Sequence, residues 1–203
     1  MIVSTAARSF VRITAIGATL LPTAAVAHVG VGHASGFAYG FAHPLSGLDH
    51  MLAMVMVGVF AWQLGGRALR LVPTTFVAVM ALGGALGWTG ADIPFVEIGI
   101  ALSVVVLGAI VAMRARTPVT VAMGLVGLFA IVHGHAHGAE MPTTADGLTY
   151  AAGFMIATAL LHVAGIGIGL FVGRISDRYG TAALRTVGAI TALAGIGLLT
   201  GQI

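Results

Sequence analysis

Residues 93 to 116 read IPFVEIGIALSVVVLGAIVAMRAR. Up to Met113 this run holds a single ionisable side chain, Glu97, and it then ends abruptly on Arg114 and Arg116. A helix rises 1.5 Å per residue, so a stretch of this length covers the ~30 Å of hydrocarbon in a bilayer. Five further stretches read the same way, giving spans at about 47–65, 71–90, 93–113, 117–138, 147–173 and 180–202. Inside lipid every backbone polar group must be satisfied internally, and the short alternating strands of a membrane barrel are missing, so the chain reads as an all-α polytopic membrane protein with six transmembrane helices. Composition agrees: 59% of the 203 residues are hydrophobic, 7% are charged and the mean hydropathy is +1.07, where soluble domains carry about 25% charged residues.

The arginines orient the spans. Arg67 and Arg70 follow the first, Arg114 and Arg116 the third, and Arg174, Arg178 and Arg185 flank the connection between the fifth and sixth. The intervening connections carry only Asp92, or Glu140 with Asp146. The positive-inside rule places the arginine-bearing loops in the cytoplasm and both ends of the mature chain outside. The N-terminus supports the same topology: Arg8 and Arg12, the short apolar run Ile13 to Leu21, Pro22 and Ala25-Val26-Ala27 read as a signal peptide over residues 1–27, too short to span and cleaved after Ala27. Residues 28–203 then form one transmembrane domain with seven arginines against six acids. All nine basic residues are scattered arginines, so there is no basic face for nucleic acid. With no cysteine in the chain, a metal here must use imidazole, carboxylate, carbonyl or thioether donors.

Ionisable residues within spans are functional candidates by default, and most of them fall into two motifs: HPLSGLDH at 43–50 and HGHAHGAE at 133–140. His133, His137 and Glu140, spaced i, i+4, i+7, share one helix face and present two imidazoles and a carboxylate in the manner of a divalent-cation site. His135 points elsewhere. Pro44 and Gly47 predict a kinked or broken lead-in segment before the first span. There Asp49 can ligate with His50, orient its imidazole, or cap a helix start. The first motif opens a helix descending from outside and the second closes one rising to it, so His43, Asp49, His50, His133, His137 and Glu140 are expected at one depth in the outer half of the membrane. Glu97 lies on the same side and is read as part of that site or of the ion path. Weaker candidates are His135 itself, His162 deep in the fifth span, which either receives an ion or bridges two helices, and His28 and His33 at the start of the mature chain. Met51, Met54 and Met56 read as packing, with thioether ligation of copper(I) a minor reading.

At these two motifs the chain resembles the HupE/UreJ family of nickel permeases, small membrane proteins associated with maturation of nickel-iron hydrogenase and urease. The family patterns H-P-x-x-G-x-D-H and F-H-G-x-A-H-G-x-E are matched at His43, Pro44, Gly47, Asp49 and His50, and at His133, Gly134, Ala136, His137, Gly138 and Glu140; Val132 stands where the family has Phe. The resemblance implies a secondary transporter of the bacterial inner membrane that takes up Ni2+, or Co2+, from periplasm to cytoplasm as cargo, with no permanently bound cofactor. Imidazole and carboxylate donors suit Zn2+ equally, and the residues are compatible with a homo-oligomer. No nucleotide-binding motif occurs, which leaves the membrane potential, ~2.3 kcal/mol per charge per 100 mV, as the driving force. The rival reading is an intramembrane zinc-dependent hydrolase using Ser46 and Asp49; a haem-binding subunit with paired histidines is a third.

Overall fold

The computed structural model describes residues 34–175 and 177–202. The expected signal peptide and the histidines at 28 and 33 lie outside the described residues. Seven helices follow one another: α1 (Ala34–Ser46), α2 (Leu48–Leu64), α3 (Ala68–Trp88), α4 (Val96–Met113), α5 (Val119–Ala139), α6 (Gly147–Ile175) and α7 (Asp177–Leu199). The last five are each long and apolar enough to cross a membrane, and α1 with α2, bent by 83°, passes the same test as a pair, which gives five spans among the described residues, or six if the pair is one broken span. The all-α polytopic architecture expected from the sequence is present.

The break sits at Gly47, which is extended (φ −97°, ψ 125°) and starts α2 without any side-chain cap. Pro44 lies inside α1, two residues before its end, so the proline does not itself make the corner. At that corner Ser46 Oγ donates to the His43 carbonyl (2.7 Å), occupying one of the acceptors a helix end leaves free. Gly47 is required there by its neighbours: a Cβ would lie 2.7 Å from Asp49 Oδ1 and 3.1 Å from His50 Nδ1. The sequence also gave no sign of how far α1 extends. Thirteen residues are too few to read as a span, and α1 is held by tertiary packing against α6.

Helix α2 is the hub, touching every other helix, and its stretch from Ala53 to Ala61 is buried except at Val55. Around it, α3 packs on α5, α4 on α7, and α6 on both α1 and α2. Glycines set these crossings. A Cβ at Gly134 or Gly138 of α5 would strike the carbonyl oxygens of Met80 and Gly84 on α3, and one at Gly83 or Gly87 of α3 would strike those of Ile131 and His135 on α5. Gly40 and Gly153 do the same between α1 and α6, Gly58 and Gly165 between α2 and α6, and Gly108 and Gly188 between α4 and α7. Where lipid gives no hydrophobic drive for helix association, such backbone approach supplies the van der Waals contact that holds a bundle together. Large apolar side chains such as Leu82, Leu128, Val163, Phe171 and Leu193 face outward.

The arginine-bearing ends of the helices meet at one end of the bundle. Arg114 donates to Thr181 Oγ1 (3.1 Å), and Arg185, two turns inside α7, donates from Nε to the Ala112 carbonyl at the end of α4 (3.0 Å). The second of these contacts satisfies an acceptor that a helix C-terminus leaves open. Both histidine motifs lie at the other end.

Candidate metal site

The bend at Gly47 turns His43, at the end of α1, back over His50, in the first turn of α2; their ring centroids are 6.4 Å apart. Helix α5 brings the second motif to the same place. His137 lies 4.8 Å from His43 and 4.9 Å from His50, and His133 lies 5.1 Å from His50, centroid to centroid. Four imidazoles from α1, α2 and α5 therefore pack ring against ring.

The two carboxylates play different parts. Asp49 Oδ1 accepts from the His50 backbone N–H (2.7 Å) and from His50 Nδ1 (2.9 Å), which is the orienting alternative among those the sequence left open; it leaves His50 Nε2 buried and without a partner among the described residues. His133 is fixed in the same way, its Nδ1 donating to the Phe129 carbonyl one turn back (2.9 Å) while Nε2 stays free. Such a bond on one ring nitrogen fixes the tautomer and presents the other nitrogen's lone pair. Glu140, at the end of α5, pairs instead with His43 (Nε2 to Oε2, 2.9 Å). This pair is the open side of the cluster, with side chains 26% and 53% exposed, whereas His133 and His137 are fully buried.

Aromatic residues wall the cluster. His137 stacks on Phe154 (5.0 Å, 16°), Tyr150 lies 6.3 Å from His43, and Phe76 packs edge-on to His133 at 5.5 Å. None of these three was distinguishable in the sequence, because an aromatic residue in an apolar span has no pattern of its own. Both nitrogens of His137 and the Tyr150 hydroxyl are buried with no partner among the described residues. Leaving a buried polar group unpaired costs about 1–3 kcal/mol, so an apolar side chain would stabilise this position better. As they stand, no three His, Asp or Glu side chains among the described residues are placed to hold one ion; the rings touch one another.

Two expected members stand apart. Glu97 is exposed in the first turn of α4 and makes no hydrogen bond or ion pair among the described residues. The helix begins at Val96, so the carboxylate sits at the positive end of the helix dipole and outside the core. His135 turns away, as its spacing predicted, and donates from Nε2 to the Ala91 carbonyl in the α3–α4 connection (2.6 Å).

The family described as HupE / UreJ protein matches residues 16–198. Protein HupE of Rhizobium leguminosarum bv. viciae is 49% identical over 191 residues, covering 93% of this chain and 96% of that protein. No solved structure matches significantly.

Proposed function

This chain belongs to the HupE/UreJ family, and from that membership and the imidazole cluster we propose that it is a metal permease which carries Ni2+, with Co2+ as a second cargo, from the periplasm to the cytoplasm. The family consists of membrane permease and accessory proteins, not enzymes. The observation that carries the reading is the convergence of His43, His50, His133 and His137, from two motifs about ninety residues apart, beside Asp49 and Glu140. Borderline imidazole donors suit Ni2+ and Co2+, and the exposed His43–Glu140 pair supplies a charged mouth where a hydrated cation first meets the protein. A resident metal would call for ligands already aimed at one point. Here the rings pack on each other and part to admit an ion, as suits a cargo that must also leave.

Purified protein in sealed vesicles, with an inside-negative potential imposed, is expected to take up Ni2+ and Co2+ well above protein-free vesicles and to leave Mg2+ outside. Equal entry of Mg2+, or no metal entry at all, would refute the permease.

The orientation belongs to the same proposal: bacterial inner membrane, arginine-bearing loops in the cytoplasm, histidine motifs towards the periplasm. The absence of cysteine makes it simple to check. Thr143→Cys, in the exposed α5–α6 connection, is expected to react with an impermeant maleimide added to intact spheroplasts. Thr117→Cys, beside Arg116, is expected to react only after lysis. The reverse pattern would invert the direction of transport.

A further inference from the structure

Ring contacts continue inward past the outer cluster. Phe76 of α3 touches both His133 (5.5 Å) and His162 of α6 (5.1 Å), so an unbroken file of rings runs from His43 through His137, His50, His133 and Phe76 to His162. His162 is 1% exposed, and neither of its ring nitrogens has a hydrogen-bond partner among the described residues. A histidine serving to bridge two helices would use at least one of them.

One turn along α6 towards the histidine-motif end lies Thr158, fully buried. Its hydroxyl sits 3.2 Å from Met54 Sδ on α2 and 3.6 Å from Met80 Sδ on α3. Met80 is one turn from Phe76, and Met54 is one turn from Gly58, the glycine against which the His162 carbonyl lies. Three helices thus bring two thioethers, a hydroxyl and an unpaired imidazole into the middle of the bundle, where packing alone would favour carbon. Thioethers are weak partners for a hydroxyl, so this Thr is poorly served as a structural residue.

We propose that His162, Met54, Met80 and Thr158 form an inner binding site that takes over a late first-row divalent cation from the outer cluster. The inference rests on the permease reading above. Sulfur and imidazole favour Ni2+ and Co2+ over the hard ions Mg2+ and Ca2+, which require oxygen. Thioethers carry no charge, so the site binds loosely enough to release its ion towards the arginine-bearing end.

The full chain in lipid nanodiscs, loaded with excess Ni2+, tests this by X-ray absorption at the nickel edge. Because the chain has no cysteine, any sulfur neighbour of nickel must be methionine. Sulfur is expected in the wild-type spectrum and is expected to vanish in a Met54→Leu, Met80→Leu double variant, whose side chains keep nearly the same volume. In vesicles the double variant and His162→Leu are each expected to slow Ni2+ uptake about 10-fold or more, the scale on which metal sites respond to a lost supporting group. A wild-type spectrum with nitrogen and oxygen neighbours only, or a double variant transporting at the wild-type rate, overturns the inner site and leaves the permease standing. Wild-type protein that moves no nickel overturns the permease itself.

Discussion

His137→Ala is expected to reduce Ni2+ uptake to background while the protein is still made and inserted. This ring touches His43 and His50 and stacks on Phe154, and it is fully buried with both nitrogens unpaired. Its removal therefore breaks no hydrogen bond among the described residues but takes the central donor out of the file. Residues that merely orient a metal ligand contribute about 10–100-fold to metal affinity; Asp49→Ala, which frees the His50 ring, is expected within that range and His137→Ala beyond it. Since alanine also leaves a void, His137→Leu serves as the companion, because it fills the space and lacks the nitrogens. Radiolabelled uptake, normalised to protein in the membrane fraction, reads both. Wild-type uptake by His137→Leu would remove the cluster from the ion's path.

Gly134→Val is expected to abolish folding rather than transport. Its Cβ would lie against the Met80 carbonyl oxygen and 2.7 Å from the Gly84 nitrogen, so neither contact can be relieved by turning a side chain and α3 and α5 must separate. Overpacking a well-filled interior costs about 1–3 kcal/mol even where side chains can adjust, and a displaced backbone costs more because the reciprocal contacts at Gly83, Gly87 and Gly138 are lost with it. Gly124→Ala, in the second turn of the same helix and with nothing within 4 Å of the added carbon, is the control and is expected to keep wild-type behaviour. Size-exclusion profiles and thermal melts in detergent distinguish the two: a monodisperse Gly134→Val protein with an unchanged midpoint would show that the crossing is not close-packed in the bilayer.

What the sequence disclosed, and what it concealed, follows from how far each signal reaches along the chain. Spans declare themselves through runs of some twenty apolar residues, and each histidine motif is local, so the apolar helices and the two groups of imidazoles and carboxylates could be read directly. The corner at Gly47 could be placed only loosely, since Pro44 is the louder marker while the chain turns three residues later, where the Asp49 and His50 side chains occupy the space a Cβ would take. Glu97 reads as part of the site or the ion path when the span starts at residue 93; with the helix beginning at Val96 the carboxylate lies exposed in its first turn, apart from the imidazoles. Tyr150, Phe154 and Phe76 acquire meaning only from helices adjacent in space and distant in sequence. The same holds for Thr158, whose sulfur partners are 104 and 78 residues away.

The reciprocal glycine contacts decide what can move. Carbonyl oxygens seated against bare Cα atoms act as detents, so α3 and α5 cannot slide past one another, nor can α6 slide along α1 or α2. Two groups of helices are closely interlocked in this way: α1, α2 and α6, bearing His43, Asp49, His50, Met54, Thr158 and His162, and α3 and α5, bearing Phe76, Met80, His133, His137 and Glu140. The ring file and the inner site lie where these two groups meet, so the candidate path is walled on each side by helices whose mutual spacing glycine has fixed.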